Sequence, residues 1–178
     1  GPVVSLPISE QIYLVGFMGA GKTTSGAELA ALLGWRFVDL DEAICLGAGK
    51  SIPEIFRDGG EPVFRRLERE VLVSLTSLSK LVVATGGGTY VADENRNLVE
   101  AAGWSVWLQV GLSEAMRRCG GGVGRPLWGS RAEIEALYRH RQEFYRCARI
   151  QVDTEGNPPD RVAGKVMENL LARGFIRS

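Results

Sequence analysis

The sequence predicts an α/β fold, a five-stranded parallel sheet with helices on both faces. Three observations predict it. Five short apolar runs, at residues 12–15, 36–38, 81–84, 106–110 and 149–152, alternate with stretches of helical periodicity, and strand alternating with helix is the signature of a parallel sheet. The run Leu81, Val82, Val83, Ala84 has no polar side chain, as suits a strand covered on both sides. Between the first run and the first helix, residues 16–23 match G-x-x-x-x-G-K-[ST] in full, in the strand–loop–helix setting that lets backbone N–H groups converge on phosphate oxygens.

The first strand delivers that loop. Gly16, Gly19 and Gly21 permit unusual dihedrals and close approach of main chain to an anion. Lys22 is expected to reach the β- and γ-phosphates of a nucleoside triphosphate, and the Thr23 hydroxyl to ligate Mg²⁺. The following helix carries Leu29, Leu32 and Leu33 at helical spacing and stops at Gly34.

The second strand runs into Asp39 and Asp41. Ligands of open parallel sheets sit at the carboxyl ends of the strands, so both acids are expected to face the phosphate loop. The third strand ends in Thr85-Gly86-Gly87-Gly88 and supplies no aspartate, which leaves Asp39 as the best-placed carboxylate for Mg²⁺. Asp41 shares its side if the extended conformation continues, and can accept a hydrogen bond from a substrate hydroxyl. Either acid can instead simply cap a helix. Gly86 to Gly88 likewise either permit a turn or let main-chain N–H groups approach a bound carboxylate.

Ser51-x-x-Glu54 and Ser130-x-x-Glu133 are capping-box patterns that open two further helices, and Asp93 and Gly103 bracket another between the third and fourth strands. Residues 120–124 hold four glycines in five positions, which neither a helix interior nor a packed strand supports.

Two helices place charge where their pattern calls for apolar side chains. Phe64, Leu67, Val71, Leu75 and Leu78 form one stripe; Glu68 falls inside it and Arg65 sits on its flank, one turn away. In the helix after Ser130, Arg141 lies among Ile134, Leu137, Tyr138 and Tyr145. A guanidinium turned inward is costly unless it is paired or lines a polar cavity, and it suits a carboxylate held by two parallel hydrogen bonds. A structural ion pair with Glu68 and a pocket that also grips an anionic ligand both remain open. His140 reads as surface, Trp35, Trp104 and Trp107 as packing residues, and Trp128 as a residue that packs a closing loop.

The chain's 178 residues suit one domain. Lys+Arg and Asp+Glu are both 21, so no net charge favours a nucleic-acid partner. No apolar run is long enough to span a bilayer and no secretory signal appears, so no membrane association is expected; the opening Gly1-Pro2 has the look of a tag-cleavage remnant. Cys45, Cys119 and Cys147 are odd in number and widely spaced, which suits a reducing cytoplasm.

With these residues in view, the chain resembles shikimate kinases from about residue 12 to residue 152. The resemblance rests on an ordered set: the loop 16–23, Asp39-Leu40-Asp41, Phe64-Arg65-Arg66-Leu67-Glu68, Gly86-Gly87-Gly88, Arg125-Pro126-Leu127, and Arg141 ahead of Phe144-Tyr145. It implies a P-loop three-layer sandwich in one domain, with a helical substrate-binding subdomain near 40–70 and a flexible lid near 119–130. It implies ATP held by Gly19, Ala20, Gly21, Lys22, Thr23, Thr24, Arg118 and Arg125, with Arg118 against adenine and Arg125 swinging in to the transferring phosphoryl group. Asp41 would contact substrate hydroxyls, and Arg65, Arg141 and the Gly87-Gly88 backbone would hold the shikimate carboxylate while Glu68 orients the arginines. One Mg²⁺ would sit between Thr23 and Asp39. Lys22, Asp41 and Arg125 would carry catalysis in a cytoplasmic monomer. The lid is richer in glycine than usual, and Arg146-Cys147 stands where the family commonly has acidic residues. Rival readings are another small-molecule kinase, such as a gluconate kinase, and a nucleotide-binding module without catalysis; intact Lys22, Asp41 and Arg125 argue against the second.

Overall fold

The structure is a computed structural model, and it describes residues 10–119 and 129–176. Strands β1 (Gln11–Val15), β2 (Arg36–Asp39), β3 (Leu81–Ala84), β4 (Trp104–Gln109) and β5 (Ile150–Asp153) form one sheet in the order β2-β3-β1-β4-β5, with every pairing parallel. Seven α-helices occur among the described residues: α1 (Lys22–Leu33), α2 (Leu40–Ala48), α3 (Ile52–Leu75), α4 (Asp93–Ala102), α5 (Leu112–Arg118), α6 (Arg131–Tyr145) and α7 (Pro159–Ala172). The chain leaves the central β1 toward β2 and β3 on one side and later fills β4 and β5 on the other. This reversal opens a crevice beyond the carboxyl end of β1, where the phosphate loop lies.

β1 and β3 are buried at every position, β3 as its unbroken apolar pattern foretells and β1 with the polar Gln11 buried at its start. The bounds of the outer strands shift from expectation. β4 begins at Trp104, because Ile12 of β1 pairs with it, and β5 runs from Ile150 to Asp153, opposite Val106 to Gln109. Pairing partners, not local composition, set these ends.

α1 lies on the sheet through Ser25, Gly26, Leu29 and Ala30. A Cβ at Gly26 would come within 2.7 Å of the Phe37 ring and 3.0 Å of Leu14. Small residues thus choose the face that meets the sheet, and Leu32 of the expected stripe is 56% exposed. Gly34 ends the helix in the left-handed region, φ 70°, as expected.

α3 is two helical pieces joined at Gly60, whose φ of 74° and ψ of −177° break the ladder two residues before Pro62. Its inner stripe includes Phe64, Glu68, Leu72 and Leu75, but Leu78 lies beyond the helix and is exposed. The buried Gln11 side chain, reaching from β1, takes the carbonyls of Leu75 and Thr76 at 3.0 and 3.1 Å. That side-chain cap stops the helix before Leu78.

The capping box at Ser51 and Glu54 is complete. Ser130 accepts from the Glu133 N–H at α6. At α4 the N-cap is Ala92, and Asp93 is a first-turn acid paired with Arg96. Trp107 is buried, and Trp104 stacks on Phe175 with ring centroids 3.4 Å apart. Among the described residues no helix is long and apolar enough to cross a membrane.

Candidate active site

The loop between β1 and α1 turns through three glycines with positive φ: Gly16 at 152°, Gly19 at 83° and Gly21 at 87°. A Cβ on Gly16 would lie 2.6 Å from the Leu108 carbonyl oxygen, and one on Gly19 2.7 Å from that of Ala115. Only glycine fits either place. Inside the loop the Lys22 ammonium donates to the carbonyls of Gly16 (2.5 Å) and Phe17 (3.2 Å). Burial lowers its pKa from 10.5 to about 8, against the opposing pull of Asp41.

Asp39 caps a helix and also reaches the phosphate loop. Its Oδ1 accepts from the Glu42 N–H at 3.1 Å, which caps α2, and its Oδ2 accepts from the Thr23 hydroxyl at 2.9 Å. Asp41 reaches the same crevice by another route than expected. The chain does not stay extended; α2 starts at Leu40 and places Asp41 in its first turn. Burial, with the neighbouring charge of Asp39, raises the Asp41 pKa above its ordinary value, while Lys22 works the other way. A cavity of about 530 Å³ is lined by Gly19, Gly21, Lys22, Thr23, Asp39 and Asp41 together with Gly86 and Gly87.

A second cavity of about 300 Å³ adjoins it through Met18, Asp41, Gly86 and Gly87, and includes Phe56, Phe64, Arg65, Glu68, Gly88 and Arg141. Glu68 is 0% exposed yet well satisfied. It takes Arg65 Nη1 at 3.0 and 3.3 Å, the Thr89 hydroxyl at 2.8 Å and the Asn95 amide at 3.3 Å. Four donated hydrogen bonds are what makes an inward carboxylate tolerable. Thr89 Oγ1 also receives the Gly86 N–H at 2.9 Å, which ties the glycine turn to the same cluster.

Glu68 does not orient both arginines: Arg65 is its partner, and no carboxylate lies within ion-pair distance of Arg141 among the described residues. Both guanidiniums nevertheless converge on the glycines. A Cβ on Gly87 would sit 2.9 Å from Arg141 Nη1, and one on Gly88 2.5 Å from Arg65 Nη2 and 3.2 Å from Arg141 Nη2. The turn therefore leaves room for two arginines as well as for main-chain donors.

On the far side of the loop, a cavity of about 360 Å³ is lined by Gly21, Thr24, Ser25, Arg118, Asn157 and Pro159, among others. Arg118 bonds the Gly19 carbonyl (3.2 Å), the Thr154 hydroxyl (3.0 Å) and the Thr154 carbonyl (3.0 Å), and pairs with Glu114. It thereby locks the phosphate loop to the turn after β5. Ala20 is buried, Thr24 is exposed on the cavity rim and His140 is on the surface. Arg125 and Trp128, with most of the expected lid, lie outside the described residues. Two contributors carried no clear sequence signal, Thr89 and Asn95, ordinary polar residues distant from Glu68 in the chain. Tyr145 was marked in the sequence by its place on the Arg141 face and in the pattern of Arg141 ahead of Phe144-Tyr145. Its phenol donates to the Gly87 carbonyl at 2.6 Å, a contact the pattern does not tell.

The family model for shikimate kinase matches residues 18–171. The chain belongs to the shikimate kinase family. A shikimate kinase of Persephonella marina is 41% identical over 157 residues, 88% of this chain and 96% of the relative. One from Geobacter metallireducens is 40% identical over 174 residues, covering 96% and 97%. Among solved structures, the Acinetobacter baumannii shikimate kinase in complex with shikimate aligns with a TM-score of 0.86 at 37% identity, over 92% of this chain and 94% of that one. As a shikimate kinase this protein is an ATP-dependent phosphotransferase, and its P-loop fold is that of the family.

The Lys22 pKa gives this shikimate kinase a measurable signature. With burial bringing the value down to about 8, Lys22 in the nucleotide-free protein loses its charge over a pH range well below that of a solvated lysine. The charge of a triphosphate favours the ammonium form, so binding preformed MgATP is expected to take up a fraction of a proton at pH 8 and almost none at pH 6. Calorimetry in buffers of different ionisation enthalpy reads this number. Equal uptake at the two pH values would remove Lys22 as its source.

Proposed function

We propose that this shikimate kinase transfers the γ-phosphate of ATP to the 3-hydroxyl of shikimate, giving shikimate 3-phosphate and ADP. The observation that carries the reading is the pair of adjoining cavities, one around the phosphate loop and one around two guanidiniums, which share Asp41 and the glycine turn. A hydroxy-acid held in the second cavity by its carboxylate presents its hydroxyls to Asp41 and, beyond it, to Lys22.

In this reading Gly19, Ala20, Gly21, Lys22, Thr23 and Thr24 hold the phosphates, and Arg118 bounds the nucleoside side. Arg65, Arg141 and the backbone of Gly87 and Gly88 hold the acid, while Glu68 fixes Arg65. Asp41 aims the hydroxyl and takes its proton. A carboxylate whose pKa is raised by burial accepts a proton more readily than a solvated one. Lys22 and Arg125 stabilise charge on the phosphoryl group in flight, so the chemistry depends on positioning and neutralisation, with no covalent intermediate. The α2–α3 region near 40–70 forms the substrate side, and the segment near 119–130 is the lid that keeps water from the transferred group.

The residues fit a magnesium ion. Thr23 and Asp39 present a hydroxyl and a carboxylate oxygen 2.9 Å apart, hard donors of the kind Mg²⁺ takes. An ion held by these two side chains would complete its shell with phosphate and water. When bound, Mg²⁺ would neutralise charge on the β- and γ-phosphates. The odd number and wide spacing of the three cysteines support a reducing, cytoplasmic setting, and the chain is taken to act as a monomer.

A coupled ADP-release assay with shikimate, gluconate and other hydroxy-acids tests the reading. Turnover with shikimate well above the rest supports it; preference for gluconate, or release independent of any acid, would overturn it.

A further inference from the structure

We propose that Tyr145 is a positioning residue of the acid clamp, holding Arg141 and the Gly87–Gly88 peptide in the arrangement that receives a carboxylate. The proposal rests on the shikimate kinase reading above and assigns to Tyr145 the task that Glu68 performs only for Arg65.

The two arginines are supported unequally. Arg65 is locked by a buried carboxylate that Thr89 and Asn95, from two later segments of the chain, help to satisfy. Arg141 has no carboxylate partner among the described residues, yet its guanidinium stands against Gly87 and Gly88. What lies beside it is Tyr145, one turn on and on the same face of α6. Tyr145 is 0% exposed, and its phenol donates to the Gly87 carbonyl at 2.6 Å. Burial pushes the phenol pKa up, while the nearby charge of Arg141 acts in the opposite sense. One oxygen atom thus joins α6 to the glycine turn at the point where Arg141 touches it.

The bond also fixes a direction. In a trans peptide the carbonyl and the following N–H point opposite ways. With the Gly87 carbonyl turned to Tyr145, the Gly88 N–H is turned away from it, and it donates to no protein acceptor among the described residues. A free N–H beside two guanidiniums is a third donor for a carboxylate. Without the phenol the Gly87–Gly88 peptide can rotate, and the donor and the guanidinium lose their shared anchor.

Tyr145→Phe removes the hydroxyl and keeps the ring that packs near Trp107. In the full chain this substitution is expected to raise KM and Kd for shikimate about 5- to 10-fold, the scale of one hydrogen bond, while KM for MgATP stays within about twofold. In an Arg141→Ala background the same substitution should cost clearly less than it does alone, because the share of its effect that passes through that guanidinium is already lost. Unchanged shikimate KM, a parallel rise in KM for MgATP, or an undiminished effect without Arg141 would each overturn the proposal. Wild-type protein that fails to bind shikimate would overturn the functional reading with it, whereas normal wild-type binding with an unaffected variant overturns the proposal alone.

Discussion

Replacing Lys22 by alanine is expected to lower turnover by about 10³-fold at saturating MgATP and shikimate, the scale seen when one cation is lost from a phosphoryl-transfer site. The position of the side chain sets the size of the effect. The loop wraps the ammonium so closely that it bonds the Gly16 and Phe17 carbonyls, and burial brings its pKa down to about 8. Below that pH the group is charged, poorly solvated and at the root of the phosphate cradle. Charge developing on the transferred group gives it a partner that water does not. Alanine removes this stabilisation and leaves the glycine backbone and the Thr23 hydroxyl in place, so MgATP should still bind, though more weakly. Initial rates of coupled ADP release, with a separate MgATP titration, measure the two effects. Normal turnover in the variant would overturn the role of the loop.

Arg141→Ala is the second large effect. Shikimate affinity is expected to fall about 10²-fold, as two charge-assisted hydrogen bonds are removed from a partly buried acid, with MgATP affinity nearly intact. The separation follows from geometry: Arg141 lines the cavity with Arg65 and Glu68, whereas Arg118 lines the cavity on the other side of the phosphate loop. Calorimetric titration of each ligand into the variant decides the matter. Unaltered shikimate affinity would rule out the clamp, and equal losses for both ligands would indicate general damage to the fold.

Much of this site was legible because its parts are contiguous in the chain. The phosphate loop is a single segment whose glycines are dictated by backbone geometry, and all three take the positive φ that the pattern requires. Charge inside an apolar stripe was also informative: Glu68, Arg65 and Arg141 all reach one cavity. Asp41 was placed on the correct side for a reason that did not hold, since a helical turn, not an extended strand, brings it there. Features that depend on distant partners were not legible. Nothing local to residue 75 tells that Gln11, 64 residues earlier, will end its helix. Nor does anything local to Thr89 or Asn95 tell that they will satisfy Glu68. Leu32 misled because the face of α1 is chosen by Gly26 fitting under Phe37, a steric condition that hydrophobicity alone does not report.

The unequal support of the two arginines has an electrostatic consequence. Arg65 and Arg141 converge on one turn, and Glu68 balances only the first. The cavity wall carries Arg65, Arg141, Glu68 and Asp41, so its formal charges balance, yet Arg141 is a cation with no carboxylate paired directly to it among the described residues, in surroundings that screen it less than open water does. Chloride and sulfate are natural competitors for that charge, so apparent shikimate affinity should weaken as ionic strength rises, even though the acid itself carries a single negative charge.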